Sequence, residues 1–225
     1  MTIDKLLMTS PHSIETMLIT VSDSQAQSLA ISLLKAGESI VIPTETIFGL
    51  TCDATNAGAV AKLFQIKNRV IEKPSAIFLP SGEDVKTYAE IEYPYVSRVM
   101  EEFLPGPITV VLRSKIRKWP GVVGEDGRIG IRVSSDPFVK ALTVAFGNPL
   151  IATSANIADK EDAANVSDLY EELRNRIPLV IYRDRIITTT PSTVVDLSGI
   201  RPKLIREGVV AFEKILRFVE KVETN

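Results

Sequence analysis

Five groups of polar residues in this chain of 225 have the types and spacing to do chemistry. Thr44, Glu45 and Thr46 follow the β-branched run Ile40-Val41-Ile42 and Pro43. Lys67, Arg69 and Lys73 fall within seven residues, and Arg128 and Arg132 are four apart. Ser154 and Asn156 follow the apolar Leu150-Ile151-Ala152, and Ser192, Thr193 and Arg206 make the fifth group. The inventory is rich in cations and in small hydroxyl and amide donors, and it lacks a nucleophile beside a general base. That combination suits binding a polyanion and stabilising charge as it moves, not covalent catalysis. A triphosphate fits: its departing pyrophosphate needs compensation by Lys, Arg and usually a magnesium ion.

These groups must be carried by strand ends and helix termini. The run 40–42 predicts a strand covered on both faces. Pro43 should end its regular pairing, so the polar triplet falls where the strand runs out, the edge at which open α/β sheets bind ligands. Ala26, Leu29, Ala30, Leu33 and Leu34 have helical spacing and predict a helix over 25–35, capped by Ser22 or Ser24 and closed by Gly37. Asn56 caps a second helix that runs through Val60, Leu63 and Phe64 and ends at Lys67. Further strands are expected at 17–21, 76–79, 108–112, 129–133, 150–152, 179–182 and 193–195. Helices are expected at 82–89, 94–103, 167–174 and 211–219, and from an Asp136 cap and Pro137 to Gly147. Residues 115–127 hold Pro120, Gly121, Gly124, Gly127 and Trp119 and read as a mobile flap. Arg132, inside an otherwise apolar strand, faces either solvent at an edge or a ligand. The alternation predicts one α/β domain with a mixed, twisted, open sheet flanked by helices. No G-x-G-x-x-G and no G-x-x-x-x-G-K-[ST] occurs, so neither dinucleotide nor P-loop binding is signalled.

Composition narrows the class. The formal net charge is −2, against bulk electrostatic binding of nucleic acid, and 45% of residues are hydrophobic. One cysteine excludes an internal disulfide framework, and one histidine, His12, argues against a His-based triad or zinc site. No apolar run approaches the ~20 residues of a membrane span, and the N-terminus does not resemble a secretory signal. A cytoplasmic protein is expected.

Several of these stretches, in order, resemble the YrdC-like family, the threonylcarbamoyl-AMP synthases. Pro43-Thr-Glu-Thr-Ile-Phe-Gly-Leu50 and Lys67-Asn-Arg69 through Lys73-Pro74 are similar to its first two motifs. Phe103-Leu-Pro-Gly-Pro-Ile-Thr109, Gly130-Ile-Arg-Val133, Thr153-Ser-Ala-Asn156, Ser192-Thr-Val-Val-Asp196 and Ile205-Arg-Glu-Gly208 look like the rest. The resemblance implies a single-domain form: an N-terminal extension over 1–21, the YrdC-like domain over 22–210, and a C-terminal helix and tail over 211–225.

It further implies synthesis of L-threonylcarbamoyl-adenylate from L-threonine, bicarbonate and ATP, with Mg2+ accompanying ATP and pyrophosphate released. By resemblance, Thr46, Arg132, Ser192 and the backbone near Ala152 hold threonine. Lys67, Arg69, Lys73, Ser154, Asn156 and Arg206 hold ATP, with Lys67 and Arg69 in the catalytic role. The product would feed tRNA threonylcarbamoyladenosine formation through a downstream transferase complex, with RNA or tRNA as a possible further contact. Departures from the family pattern are Asn68-Arg69-Val70 for Gly-Arg-Pro, Phe78 for a frequent His, Arg128 for Thr or Ser, Ile157-Ala158-Asp159 after the S-A-N run, and Thr188-Thr-Thr-Pro191 for a Gly-rich approach. They leave open the alternative of a non-catalytic YrdC-like paralogue that binds RNA.

Overall fold

The computed structural model describes residues 14–156, 165–183 and 188–223. His12 and the Ile157-Ala158-Asp159 departure lie outside the described residues. Ten strands are found among the described residues: β1 (Met17–Thr20), β2 (Ile40–Ile42), β3 (Gly49–Thr51), β4 (Ala76–Phe78), β5 (Ile108–Arg113), β6 (Arg128–Arg132), β7 (Leu150–Ser154), β8 (Leu179–Tyr182), β9 (Thr193–Asp196) and β10 (Lys203–Arg206). They form one sheet in the order β1-β8-β2-β3-β7-β4-β6-β5-β9-β10. It is mixed: β8 pairs parallel with β1 and β2, and so do β4 with β6 and β5 with β9, whereas β3 pairs antiparallel with β2 and β7.

Seven helices among the described residues flank it: α1 (Ala26–Lys35), α2 (Ala57–Ile66), α3 (Val85–Tyr88), α4 (Pro94–Phe103), α5 (Pro137–Phe146), α6 (Val166–Leu173) and α7 (Phe212–Glu223). Two apolar clusters show how they divide. On one face, Ala30 and Leu34 of α1 and Leu142 of α5 pack with Ile40, Ile42, Phe78 and Leu150. On the other, α2, α4, α6 and α7 pack with Val41, Ile77, Ile131 and Ile151. Neighbours along one strand thus enter opposite clusters, as the two-residue strand period requires. Strand β2 is covered on both faces, as its unbroken β-branched run predicts. No helix among the described residues is long and apolar enough to cross a membrane.

Local chemistry sets the helix ends. The Asn56 side chain accepts from Ala59 N at 3.1 Å, and Asp136 accepts from Phe138 N at 2.8 Å with Pro137 in the first turn. The expected Ser22 or Ser24 cap on α1 is not used. Gln25 occupies the N-cap position without a side-chain bond, and the carboxylate of Asp23 accepts from Gln25 N at 2.8 Å. Helix α3 is shorter than the expected 82–89, because the Asp84 carboxylate takes bonds from Ser81 N at 3.0 Å and Ser81 Oγ at 2.7 Å, a turn that delays the helix.

Two further expectations are corrected. The stretch between Pro43 and Asn56, for which no strand is expected from the sequence, turns back and forms β3, paired to β2 as Ile40↔Thr51 and Ile42↔Gly49. The segment 115–127 packs against the body instead of standing free as a flap. Trp119 Nε1 donates to Ala54 O at 2.7 Å, Val122 is fully buried, and Gly121 O accepts from Ser75 N at 2.8 Å.

Candidate active site

Helices α1 and α5 leave part of their face of the sheet uncovered, and a cavity of about 370 Å³ opens there. Its floor follows the strand period. Thr109 and Val111 of β5, Arg128, Gly130 and Arg132 of β6, Ala76 and Phe78 of β4, Ala152 and Ser154 of β7, and Ser192 and Val194 at β9 all line it. Their sequence neighbours Val110, Ile131, Ile77, Ile151 and Val195 are buried in the cluster on the opposite face. One face of five strands is therefore core and the other is a site.

Arg132, the last residue of β6, resolves its oddity within an apolar strand: it points into the cavity while only 7% exposed. Its Nη2 donates to Glu45 Oε1 at 2.9 Å and to Thr46 Oγ1 at 2.7 Å, and its guanidinium lies over the Phe78 ring at 5.6 Å. The Nε is buried without a partner. The turn that presents Thr46 is fixed locally: Thr44 Oγ1 donates to Ile47 O at 2.7 Å and accepts from Thr46 N at 3.0 Å.

A second cationic end comes from the close of α2. Lys67 sits at its C-cap, Asn68 follows with φ +51°, and Arg69 N bonds to Phe64 O at 2.9 Å while Asn68 N bonds to Gln65 O at 3.1 Å. This paired pattern ends helices on a left-handed residue, which Asn adopts at lower cost than other side chains. The Asn68 departure is therefore compatible with the local backbone. Lys67, 3% exposed, donates its ammonium protons to the carbonyl oxygens of Ser154 and Asn156 and to Asn156 Oδ1. Ser154 Oγ donates to Asn156 Oδ1. Arg69 lines the cavity, stacks over Phe64 at 5.7 Å and donates to Pro74 O at 2.8 Å. Burial pulls its guanidinium below its usual pKa.

The third wall is β9 and β10. Arg206 Nη2 donates to Ser192 O at 2.8 Å, and the Ser192 and Thr109 hydroxyls are 3.1 Å apart. Gly208 lets the following residues press on this wall: Val209 N donates to Pro191 O at 3.0 Å, and a Cβ on Gly208 would stand 2.4 Å from Pro191 O and Thr193 N. Arg128 is committed to carboxylates. It donates from Nη2 to Asp126 Oδ2 at 2.6 Å and from Nη1 to Asp196 Oδ2. The Asp126 contact raises the Arg128 pKa, and Arg128 in turn holds Asp126 below the usual carboxylate value.

Of the residues singled out in the sequence, Thr44, Arg69, Arg128, Arg132, Ala152, Ser154, Ser192 and Arg206 line the cavity. Thr46, Lys67 and Asn156 lie behind it, bonded to lining residues, and Lys73 is exposed outside it. Sequence reasoning missed Val111, Gly130 and Val194 on the floor. Their signal was the two-residue alternation with Thr109, Arg132 and Ser192 on strands already expected.

The profile of the Sua5/YciO/YrdC family, described as "Telomere recombination", matches residues 32–208. The chain belongs to this family. It is 31% identical over 177 residues to the threonylcarbamoyl-AMP synthase of Blochmanniella pennsylvanica, covering 77% of this chain and 89% of that one. It is 31% identical over 181 residues to the Mus musculus protein of the same name, covering 78% of this chain and 64% of the mouse chain. It also superimposes on P. abyssi Sua5 crystallised with L-threonine, with a TM-score of 0.80 and 25% identity over 90% of this chain and 61% of the Sua5 chain. The chain thus spans less than two thirds of the length of these last two relatives.

Proposed function

We propose that the chain joins L-threonine, bicarbonate and ATP into L-threonylcarbamoyl-adenylate and pyrophosphate. The observation that carries this reading is a single cavity floor with Arg132 on β6 and with Arg69 and Ser154 beside the buried Lys67. Relatives named threonylcarbamoyl-AMP synthase and a Sua5 structure containing L-threonine support it.

In this reading Arg132 takes the threonine carboxylate as a charge-assisted pair, with Thr46, Ser192 and the Ala152 backbone around it. The threonine amine, carboxylated by bicarbonate with loss of water, presents a carbamate oxygen to the α-phosphorus. That oxygen forms the new P–O bond as the bond to pyrophosphate breaks, and pyrophosphate leaves with the electron pair. Lys67, Arg69, Ser154, Asn156 and Arg206 hold the phosphates and offset the charge that develops on the leaving group, and Lys73, outside the cavity, is left out of that set. The protein's task is positioning and charge neutralisation. Magnesium enters as part of the ATP substrate. The phosphate oxygens would supply ligands to it. The adenylate would then serve a carbamoyl transfer to tRNA.

The test is product identity. Incubation with ATP, L-threonine and 13C-bicarbonate should yield an adenylate whose mass carries one 13C. An adenylate without the label, or none, contradicts the reading.

A further inference from the structure

Behind Arg132 lies a line of polar contacts that ends at the start of α5. Glu45 Oε1 accepts from Arg132 Nη2 at 2.9 Å, and Glu45 Oε2 accepts from Ser134 Oγ. Ser134 Oγ accepts from Asp136 N at 3.1 Å. Asp136 caps α5, and its carboxylate also accepts from Arg183 Nη2 at 2.8 and 2.7 Å. The Glu45 and Arg132 side chains are 11% and 9% exposed. Glu45 does not line the cavity, whereas Arg132 does.

We infer that Glu45 is the positioning residue for Arg132: it fixes the plane of the guanidinium so that its Nη1 protons meet a ligand carboxylate. The two protons of Nη2 are both used, one by Glu45 and one by Thr46 at 2.7 Å, and the Phe78 ring limits rotation out of that plane. A planar guanidinium pinned at one nitrogen and stacked on a ring holds its free Nη1 protons in one direction, so less entropy is lost when a carboxylate arrives. Among the described residues, Glu45 is also the counter-charge to this buried cation. Ser134 keeps the second Glu45 oxygen from turning towards the cavity, where it would compete with the ligand. The inference rests on the proposed threonine site only for the identity of that carboxylate.

Two readouts test it separately. In pyrophosphate release, Glu45→Gln keeps the shape but loses the charge, and it should raise KM for L-threonine about tenfold while KM for ATP stays within about twofold. Ser134→Ala should move KM for threonine in the same direction by less. In an Arg132→Met background, Glu45→Gln should add nothing further. Equal rises in both KM values, or no change for threonine, overturn the inference. The second readout needs no turnover: the Arg132 Nε–Hε resonance, assigned by its loss in Arg132→Met, should be shifted from the free-arginine position in the wild type and return towards it in Glu45→Gln. A resonance unmoved by Glu45→Gln overturns the inference. Absence of threonine-dependent turnover in the wild type counts against the proposed function alone, since the resonance still reports on Glu45.

Discussion

The ammonium of Lys67, at the C-terminal end of α2, donates to Asn156 Oδ1 at 3.3 Å and to the main-chain carbonyls of Ser154 and Asn156. Two segments nearly ninety residues apart, |i−j| = 87 and 89, are joined at the cationic end of the cavity by one buried charge. Lys67→Met keeps the stem and removes the charge. Carbonyls that lose an enclosed donor should cost about 1–3 kcal/mol of stability. If Lys67 also compensates the leaving pyrophosphate, turnover should fall at least about a hundredfold. Denaturant unfolding beside steady-state assays separates the two effects.

Gly208 is the tightest backbone approach at the site. Gly208→Ala places a methyl 2.4 Å from Pro191 O, Ser192 C and Thr193 N, all backbone atoms that cannot move alone. The β9 wall must shift, so a loss of about 1–3 kcal/mol is expected. KM for threonine should rise with it, because Ser192 moves with Pro191 and Thr193. Thermal denaturation and the threonine KM check both.

Much of this arrangement was legible in the chain because local rules and global packing agree. The run Ile40-Val41-Ile42 feeds two clusters, and the Asn56 and Asp136 caps act where their spacing placed them. Strand β3 was not legible: Gly49-Leu50-Thr51 is too short to show a period, and its partners on β7 are some hundred residues away, Leu50 pairing with Thr153. The Gly- and Pro-rich composition of 115–127 suggested freedom, yet Val122 and Trp119 are anchors whose contacts lie on distant segments. The Glu45–Arg132 pair was invisible for the same reason: nothing local tells a solvated carboxylate from one facing a cation across the sheet.

Val111 lines the cavity without belonging to the buried clusters. Val111→Phe should fill part of the floor and leave the core on the other face intact. Substrate KM values should rise at least about tenfold, while stability stays within about 0.5 kcal/mol. Calorimetric melting alongside kinetics distinguishes this from a folding defect.

Cys52 is buried, and burial, aided by the neighbouring Asp53 charge, pushes its thiol up to about 12 from 9.0. Between those values the unfolded chain releases a proton that the folded chain keeps. Stability should therefore be full below pH 9 and fall as pH rises from about 9 towards 12. Cys52→Ala should lessen that alkaline loss. Iodoacetamide at pH 8 should label the native protein far more slowly than the urea-unfolded one, read by mass spectrometry.

The most direct test is pyrophosphate release from ATP in the presence of magnesium and bicarbonate, with and without L-threonine, for the wild type, Arg132→Met and Lys67→Met. The account predicts release that requires threonine in the wild type and falls at least about a hundredfold in both folded variants. Release that ignores threonine, or a folded Arg132→Met variant with wild-type threonine dependence, would contradict it.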